Sequence, residues 1–251
     1  MNRILRSTDV RSALRSRQRG FLMDPFRMAP SNATDPYWSS VKLLLHGIGT
    51  NGSTTFTDSS NSPTTVTPAG NAQISTAQYK FGGSSMLFDG SGDRLVATDA
   101  KLALGTGNFT FEMFVRASTS ASGIDYFFGS EYSDAFWFVL SYEAGTTAFK
   151  LQGTPSIGNG NNTGYSTGVW YHIAYVRNSG TGYFFIDGIQ KGSTFSITSN
   201  ITINSYLVGG SSTSIAGSAS WFQGNIAEVR ITAAARYTAN FTPPTAAFPD
   251  S

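Results

Sequence analysis

The chain has no cysteine. That excludes disulfides, cysteine-ligated zinc, iron–sulfur clusters and a thiol nucleophile. Charge is scarce as well: Asp, Glu, Lys and Arg make up 13% of the 251 residues, about half the usual share. No apolar run reaches the roughly 18 residues of a helical membrane span. The N-terminus also lacks the apolar core of about 7–15 residues that marks a secretory signal. Histidine occurs only twice, at His46 and His172, so acid–base chemistry has few carriers. A body of this length buries about 70% of its unfolded surface and needs no covalent staple.

Glycine (27 residues), serine, threonine and asparagine fill the space that charge leaves. They suit many short strands joined by many turns. "NFTFEMFVRAS" (108–118) alternates cleanly. Phe109, Phe111, Met113 and Val115 point one way; Thr110, Glu112, Phe114 and Arg116 point the other. "SSMLFDGSGDRLVAT" (84–98) predicts a hairpin around Asp89-Gly90-Ser91-Gly92. "GVWYHIAYVRNSGTGYFFIDGIQKG" (168–192) predicts two hairpins in succession. Asn178-Ser179-Gly180-Thr181 forms the first reversal. Asp187-Gly188, a pair that readily takes positive φ, forms the second. Strands at intervals of about 8–12 residues, without βαβ alternation, predict an all-β antiparallel sandwich.

The N-terminal segment differs. Residues 1–36 carry Arg3, Arg6, Arg11, Arg15, Arg17, Arg19 and Arg27 against three aspartates, while the remainder of the chain is slightly acidic. The segment's second half, "GFLMDPFRMAP", is apolar and broken by proline. Charge pairs at about 0–1 kcal/mol each do not offset the entropy of ordering such an arm. Phe21, Phe26 and their apolar neighbours would have to bury against a partner. The division predicted is an extended arm over 1–36 and a sandwich over 37–251.

"WYHIAYVRNSGTGYFFIDGIQKG" resembles the central strands of concanavalin A-like lectin/glucanase domains of the laminin-G-like branch. "KFGGSSMLFDGSGDRL", "GNFTFEMFVR" and "GNIAEVRITAAARYTANFTPP" agree with it in order. The opening "VKLLLHGIGTNGSTTFTDSS" is similar to versions found in tailed-bacteriophage virion proteins. The resemblance implies a jelly-roll β-sandwich, and the phage-like opening with the basic arm motivates the expectation of a place in a virion. The resemblance does not imply one activity, because this fold hosts lectins, glucanases, adhesins and virion components.

Glucanases of that superfamily carry carboxylates at alternate positions of one strand, so that acid and nucleophile face one cleft about 5–5.5 Å apart. The pattern Glu-x-Asp-x-x-Glu is absent here. Neither histidine has a serine elbow or a carboxylate partner nearby in sequence, and both are expected to be strand residues satisfied by neighbours. No catalytic residue is therefore predicted. For calcium, Asp89 and Asp93 are weak candidates, with Asp99, Asn159, Asn161 and Asn162 as further oxygen donors; no other cofactor is implied. A sugar platform would draw on Asp134, Trp137, Asn161, Asn162 and Tyr165, which combine aromatic faces with polar edges. The arm arginines lack aromatic interleaving, so acidic protein surfaces fit them better than nucleic acid. The expectation is a non-enzymatic virion protein, a capsid decoration or a head- or tail-associated component. It would dock onto major capsid or tail proteins through its arm, act as a multimer, and display a lectin-like domain toward host glycans. The alternative is a carbohydrate-binding module or adhesin.

Overall fold

The computed structural model of the chain describes residues 34–119, 124–130, 136–143, 146–153, 164–210 and 221–251. The arm residues Arg3, Arg6, Arg11, Arg15, Arg17, Arg19, Phe21, Phe26 and Arg27 lie outside these, as do Asp134, Asn159, Asn161 and Asn162.

Two antiparallel sheets face each other, as the turn spacing predicts. The larger holds β1 (Val41–Leu45), β3 (Gln73–Ser75), β4 (Ser85–Asp89), β6 (Phe109–Ala117), β10 (Tyr171–Asn178), β11 (Thr181–Ile186), β12 (Ile189–Gln190), β13 (Phe195–Ser196) and β15 (Gln223–Thr232). Its main path runs β12-β11-β10-β6-β15-β4-β3, with β1 on β15 and β13 on β11. The smaller holds β2 (Val66–Ala69), β5 (Arg94–Thr98), β7 (Ile124–Ser130), β8 (Phe136–Glu143), β9 (Thr146–Gly153) and β14 (Ser205–Val208), in the order β2-β5-β14-β7-β8-β9.

The alternation read from β6 sets the core. Phe109, Phe111, Met113 and Val115 enter the main cluster with Ile173 and Tyr175 of β10 and Val229 and Ile231 of β15. Across the sandwich the ring of Phe111 lies 5.3 Å from that of Tyr206 and 5.7 Å from that of Phe128. Each such ring removes about 150–250 Å² from water, which makes the aromatic residues the main apolar adhesive between the sheets. Both predicted reversals of 168–192 are present. Ser179 and Gly180 turn with φ 50° and 80°, and Asp187 and Gly188 with φ 49° and 74°. At Gly188 any side chain would collide with the carbonyl of Phe241, so both the positive φ and the close approach demand glycine.

The predicted hairpin at 84–98 is corrected. β4 pairs with β3 and β15, whereas β5 pairs with β2 and β14, so Asp89–Asp93 is a corner between sheets. Buried Asp93 holds that corner: its carboxylate accepts the amides of Asn71 (2.7 Å) and Asp89 (2.9 Å). This crossing sends Phe88 and Leu95 into one core from opposite sheets.

β15 is the organising strand. Its first half pairs with β4, its second half with β1, and its other edge with β6. Between Ala227 and Arg230 the register with β6 slips, and Glu228 takes φ 56°. This is a β-bulge, which adds one residue and re-aims a side chain.

Asp35, near the predicted division at residue 36, is bound into the sandwich. It is buried, and its amide donates to the Ser251 carbonyl (2.9 Å).

Candidate functional site

The face of β6, β10 and β15 turned away from the main core is not open. Thr110, Glu112, Phe114, His172 and Arg230 are all buried there. The C-terminal segment after β15 covers them, with Tyr237, Phe241 and Phe248 set edge-on around His172 at ring distances of 6.4, 5.6 and 6.4 Å.

Beneath this cover lies a closed ionic cluster. Arg230 donates to Glu112 Oε1 through Nε (2.9 Å), with Nη2 also 2.8 Å from that oxygen, and donates to Asp35 through Nη1 (2.9 Å). Arg236 donates to both oxygens of Asp35 (3.0 and 2.7 Å) and to Thr232 Oγ1 (2.8 Å). Tyr237 donates its hydroxyl to Glu112 Oε2 (2.9 Å). His172 Nε2 stands 3.3 Å from the same oxygen, a contact too poorly directed for a hydrogen bond, and its Nδ1 has no partner among the described residues. Burial pushes the Glu112 carboxyl up, but Arg230, His172 and Arg236 together outweigh it and hold the group well below the ordinary carboxylate range. Asp35 follows the same logic: burial raises it, and Arg236, the Tyr37 amide and Arg230 bring it below its usual value. The expectation that His172 lacks a carboxylate neighbour is thereby corrected. The neighbour, Glu112, comes from the adjacent strand β6.

A second constellation opens to solvent. Immediately after β1, His46 Nδ1 lies 2.8 Å from Oε2 of Glu228, the bulge residue. That oxygen also accepts the amide of Phe248 (2.9 Å). An oxygen accepting a backbone N–H is an acceptor for the ring as well, which places the proton of a neutral His46 on Nδ1 and leaves Nε2 as an acceptor. His46 forms part of a cleft of about 380 Å³. Ile48, Phe56 and Pro249 supply apolar surface, over a floor of the buried Leu45, Ile74, Met86 and Phe248. Thr57, Ser59 and Asp250 supply further polar groups.

The cleft walls are fixed from beneath. Buried Asp58 accepts the amides of Leu44 (2.9 Å), Ser60 (2.9 Å) and Thr64 (2.7 Å), which pins the loop bearing Thr57 and Ser59 against β1. Glu228 pins the opposite wall through Phe248. Gly47 turns the chain away behind His46 with φ 76°, where a side chain would press on Met86.

Of the sugar-platform residues proposed from sequence, Asp134, Asn161 and Asn162 lie outside the described residues. Tyr165, expected on a sugar platform, is buried in the main core, where its ring gains more from apolar contact than from solvent. Trp137 lies on β8, in register with Gly129 and Gln152. Asp89 is exposed and caps Ser91 (2.8 Å), while both oxygens of Asp93 are engaged by amides. Asp99 caps Lys101 (3.0 Å). No cluster of three or more His, Asp or Glu suited to a metal occurs among the described residues. Sequence reasoning missed Asp250 as a cleft group and Glu228 as the partner of His46, and took His46 for a plain strand residue. The available signal was charge inside apolar strands, "FEMF" and "AEVRI", in a chain that uses charge sparingly.

A family model described as the concanavalin A-like lectin/glucanases superfamily matches residues 89–239. Comparison with curated protein sequences finds no match. Among solved structures the chain is similar to domain 4 of AbnA, a GH43 extracellular arabinanase from Geobacillus stearothermophilus, in complex with arabinotriose. That similarity has 18% identity over 78% of this chain and 93% of the other, with a TM-score of 0.57. It is also similar to the botulinum neurotoxin serotype D binding domain (16% identity, 80% of this chain, 50% of the other, TM-score 0.56). The binding domain of botulinum neurotoxin DC in complex with SialylT gives 14% identity over 80% of this chain and 49% of the other, with a TM-score of 0.55. The chain thus spans about half the length of these toxin domains.

Proposed function

The chain belongs to the concanavalin A-like lectin/glucanases superfamily, and from that premise we propose a non-enzymatic, lectin-like surface protein of a bacteriophage virion. Its sandwich binds host glycans, and its N-terminal arm docks onto other virion proteins. The observation that carries the non-enzymatic part is how the sandwich uses its buried carboxylates. Asp35, Asp58, Asp93, Glu112 and Glu228 are each held by amides, arginines, a histidine or a tyrosine in structural bonds. Glycoside hydrolysis instead needs two carboxyl groups facing one sugar, one of them free to give up a proton.

Glycan binding is supported by the company the fold keeps: an arabinanase domain complexed with arabinotriose and a toxin binding domain complexed with SialylT. Virion placement rests on the resemblance of the first strand and its following loop to phage proteins, and on the basic, apolar arm.

Three measurements test this. A glycan array should give binding to at least one glycan class, and a blank array with and without calcium overturns the lectin role. Incubation with β-glucans should release no reducing ends, and release overturns the non-enzymatic assignment. Protein lacking residues 2–33 should stay folded yet fail to enter particles, and full incorporation overturns the docking role of the arm.

A further inference from the structure

Resting on the glycan-binding role proposed above, we infer that the cleft beside His46 is a sugar subsite that takes a neutral or amino pyranose and rejects an acidic one. The cleft volume of about 380 Å³ lies at the small end of the range of roughly 300–1,000 Å³ for small-molecule sites. That suits one ring with its substituents better than an extended oligosaccharide. A pyranose combines an apolar C–H face with a rim of hydroxyls, so its site must offer both surfaces side by side. Here Ile48, Phe56 and Pro249 supply the first. His46, Thr57, Ser59 and Asp250 supply the second.

The sign of the polar groups sets the selectivity. With the ring carrying its one proton on Nδ1, committed to Glu228, Nε2 of His46 is an acceptor. Asp250, exposed at the rim, is a second acceptor. The hydroxyls of Thr57 and Ser59 serve in either sense. Among the described residues that line the cleft there is no lysine or arginine. A sugar hydroxyl or ammonium therefore finds acceptors, whereas a sugar carboxylate finds the Asp250 carboxylate and no counter-charge. Both walls are pinned by buried carboxylates, Asp58 on one side and Glu228 on the other, so the acceptors stand in place before a ligand arrives.

The test uses the full chain and four probes: the methyl glycosides of glucose, galactose, glucosamine and glucuronic acid, titrated by calorimetry and saturation-transfer NMR. The wild type should bind at least one of the first three and bind the glucuronide about tenfold more weakly or worse, the discrimination of one charge-assisted hydrogen bond. Asp250→Asn removes a charge at an exposed position, so its fold is secure. It should narrow that gap to within about threefold, the scale of one screened surface charge. His46→Phe, with its melting temperature followed in parallel, should weaken the preferred glycoside about tenfold. Equal binding of glucuronide and neutral glycosides by the wild type overturns the inference. So does a positive glycan array with affinities unchanged in both variants, which leaves the lectin role standing and moves the sugar elsewhere. A blank array, with no glycoside bound, overturns both.

Discussion

Arg230 and Glu112 are register partners on β15 and β6, and two guanidinium nitrogens of Arg230 converge on one carboxylate oxygen of Glu112 at 2.9 and 2.8 Å. Both side chains are buried, so the pair is unscreened by solvent and bears on stability in a way that surface pairs do not. Its other contacts tie together three distant pieces of chain: the segment entering β1 through Asp35, the central sheet, and the C-terminal cover through Arg236 and Tyr237.

Glu112→Gln keeps the shape of the side chain and removes its charge. It leaves Arg230 and Arg236 sharing Asp35 alone. Breaking a buried pair on one side costs about 3–5 kcal/mol. The urea midpoint should fall accordingly, with the slope of the transition unchanged. A midpoint equal to that of the wild type would show that the cluster adds nothing to stability.

The same cluster sets a response to acid. Glu112 and Asp35 are both held below their ordinary values in the folded protein. Their contribution is thus complete above the unfolded carboxylate range of about 3.9–4.3 and is lost as pH falls from there through the folded values. Stability should be level from neutral pH to about 5 and decline below about 4. Amide exchange in residues 233–251 should accelerate first, because the cover is tied down through Arg236 and Tyr237. Glu112→Gln should flatten the decline. Stability that rises on acidification contradicts the assignment.

Arg177 illustrates a charged residue used as a backbone clamp. It is fully buried, its nitrogens donate to the carbonyls of Gly107 (2.6 Å), Ser199 (2.9 Å) and Gly105 (2.7 Å), and its guanidinium lies 4.7 Å from the Phe109 ring centre. Lysine keeps the charge but cannot span three carbonyls with one ammonium. Arg177→Lys should cost about 2 kcal/mol or more, since each abandoned buried acceptor carries a desolvation cost of roughly 1–3 kcal/mol. Thermal unfolding checks this, and a conservative outcome within about 0.5 kcal/mol, the range of surface substitutions, contradicts it.

How far the sequence could be read follows from the range of the interactions involved. β6 and the two hairpins of 168–192 were legible because alternation and Asp-Gly turns are encoded within a few residues. The corner at Asp89–Asp93 was not. Its glycines suit a hairpin equally well, and the decision rests on Asp93 reaching Asn71 in another loop. The sealing of the outer sheet face was also hidden. "TPPTAAFPDS" has no period, and it becomes a cover only because Phe248 finds Phe114 and Arg230 across the fold. His46 and Glu228 lie 182 positions apart, beyond any local pattern. Charge inside an apolar strand was the one sequence-level trace of both glutamates.

The position of Asp35 yields a sharp test of where the arm ends. Removing residues 2–33 leaves Asp35 in place, and the body should unfold at the wild-type temperature. Removing residues 2–36 deletes Asp35 together with its bonds to Arg230, Arg236 and the C-terminal end. Arg230 and Arg236 then share the single carboxylate of Glu112 in a buried setting, with one cation in excess. The longer truncation should lose about 3 kcal/mol, the lower bound for removing one partner of a buried pair. Asp35→Asn in the full chain should reproduce most of that loss, because it removes the charge and keeps the chain. Equal stability of the two truncations would place the boundary after residue 36 and return Asp35 to the arm.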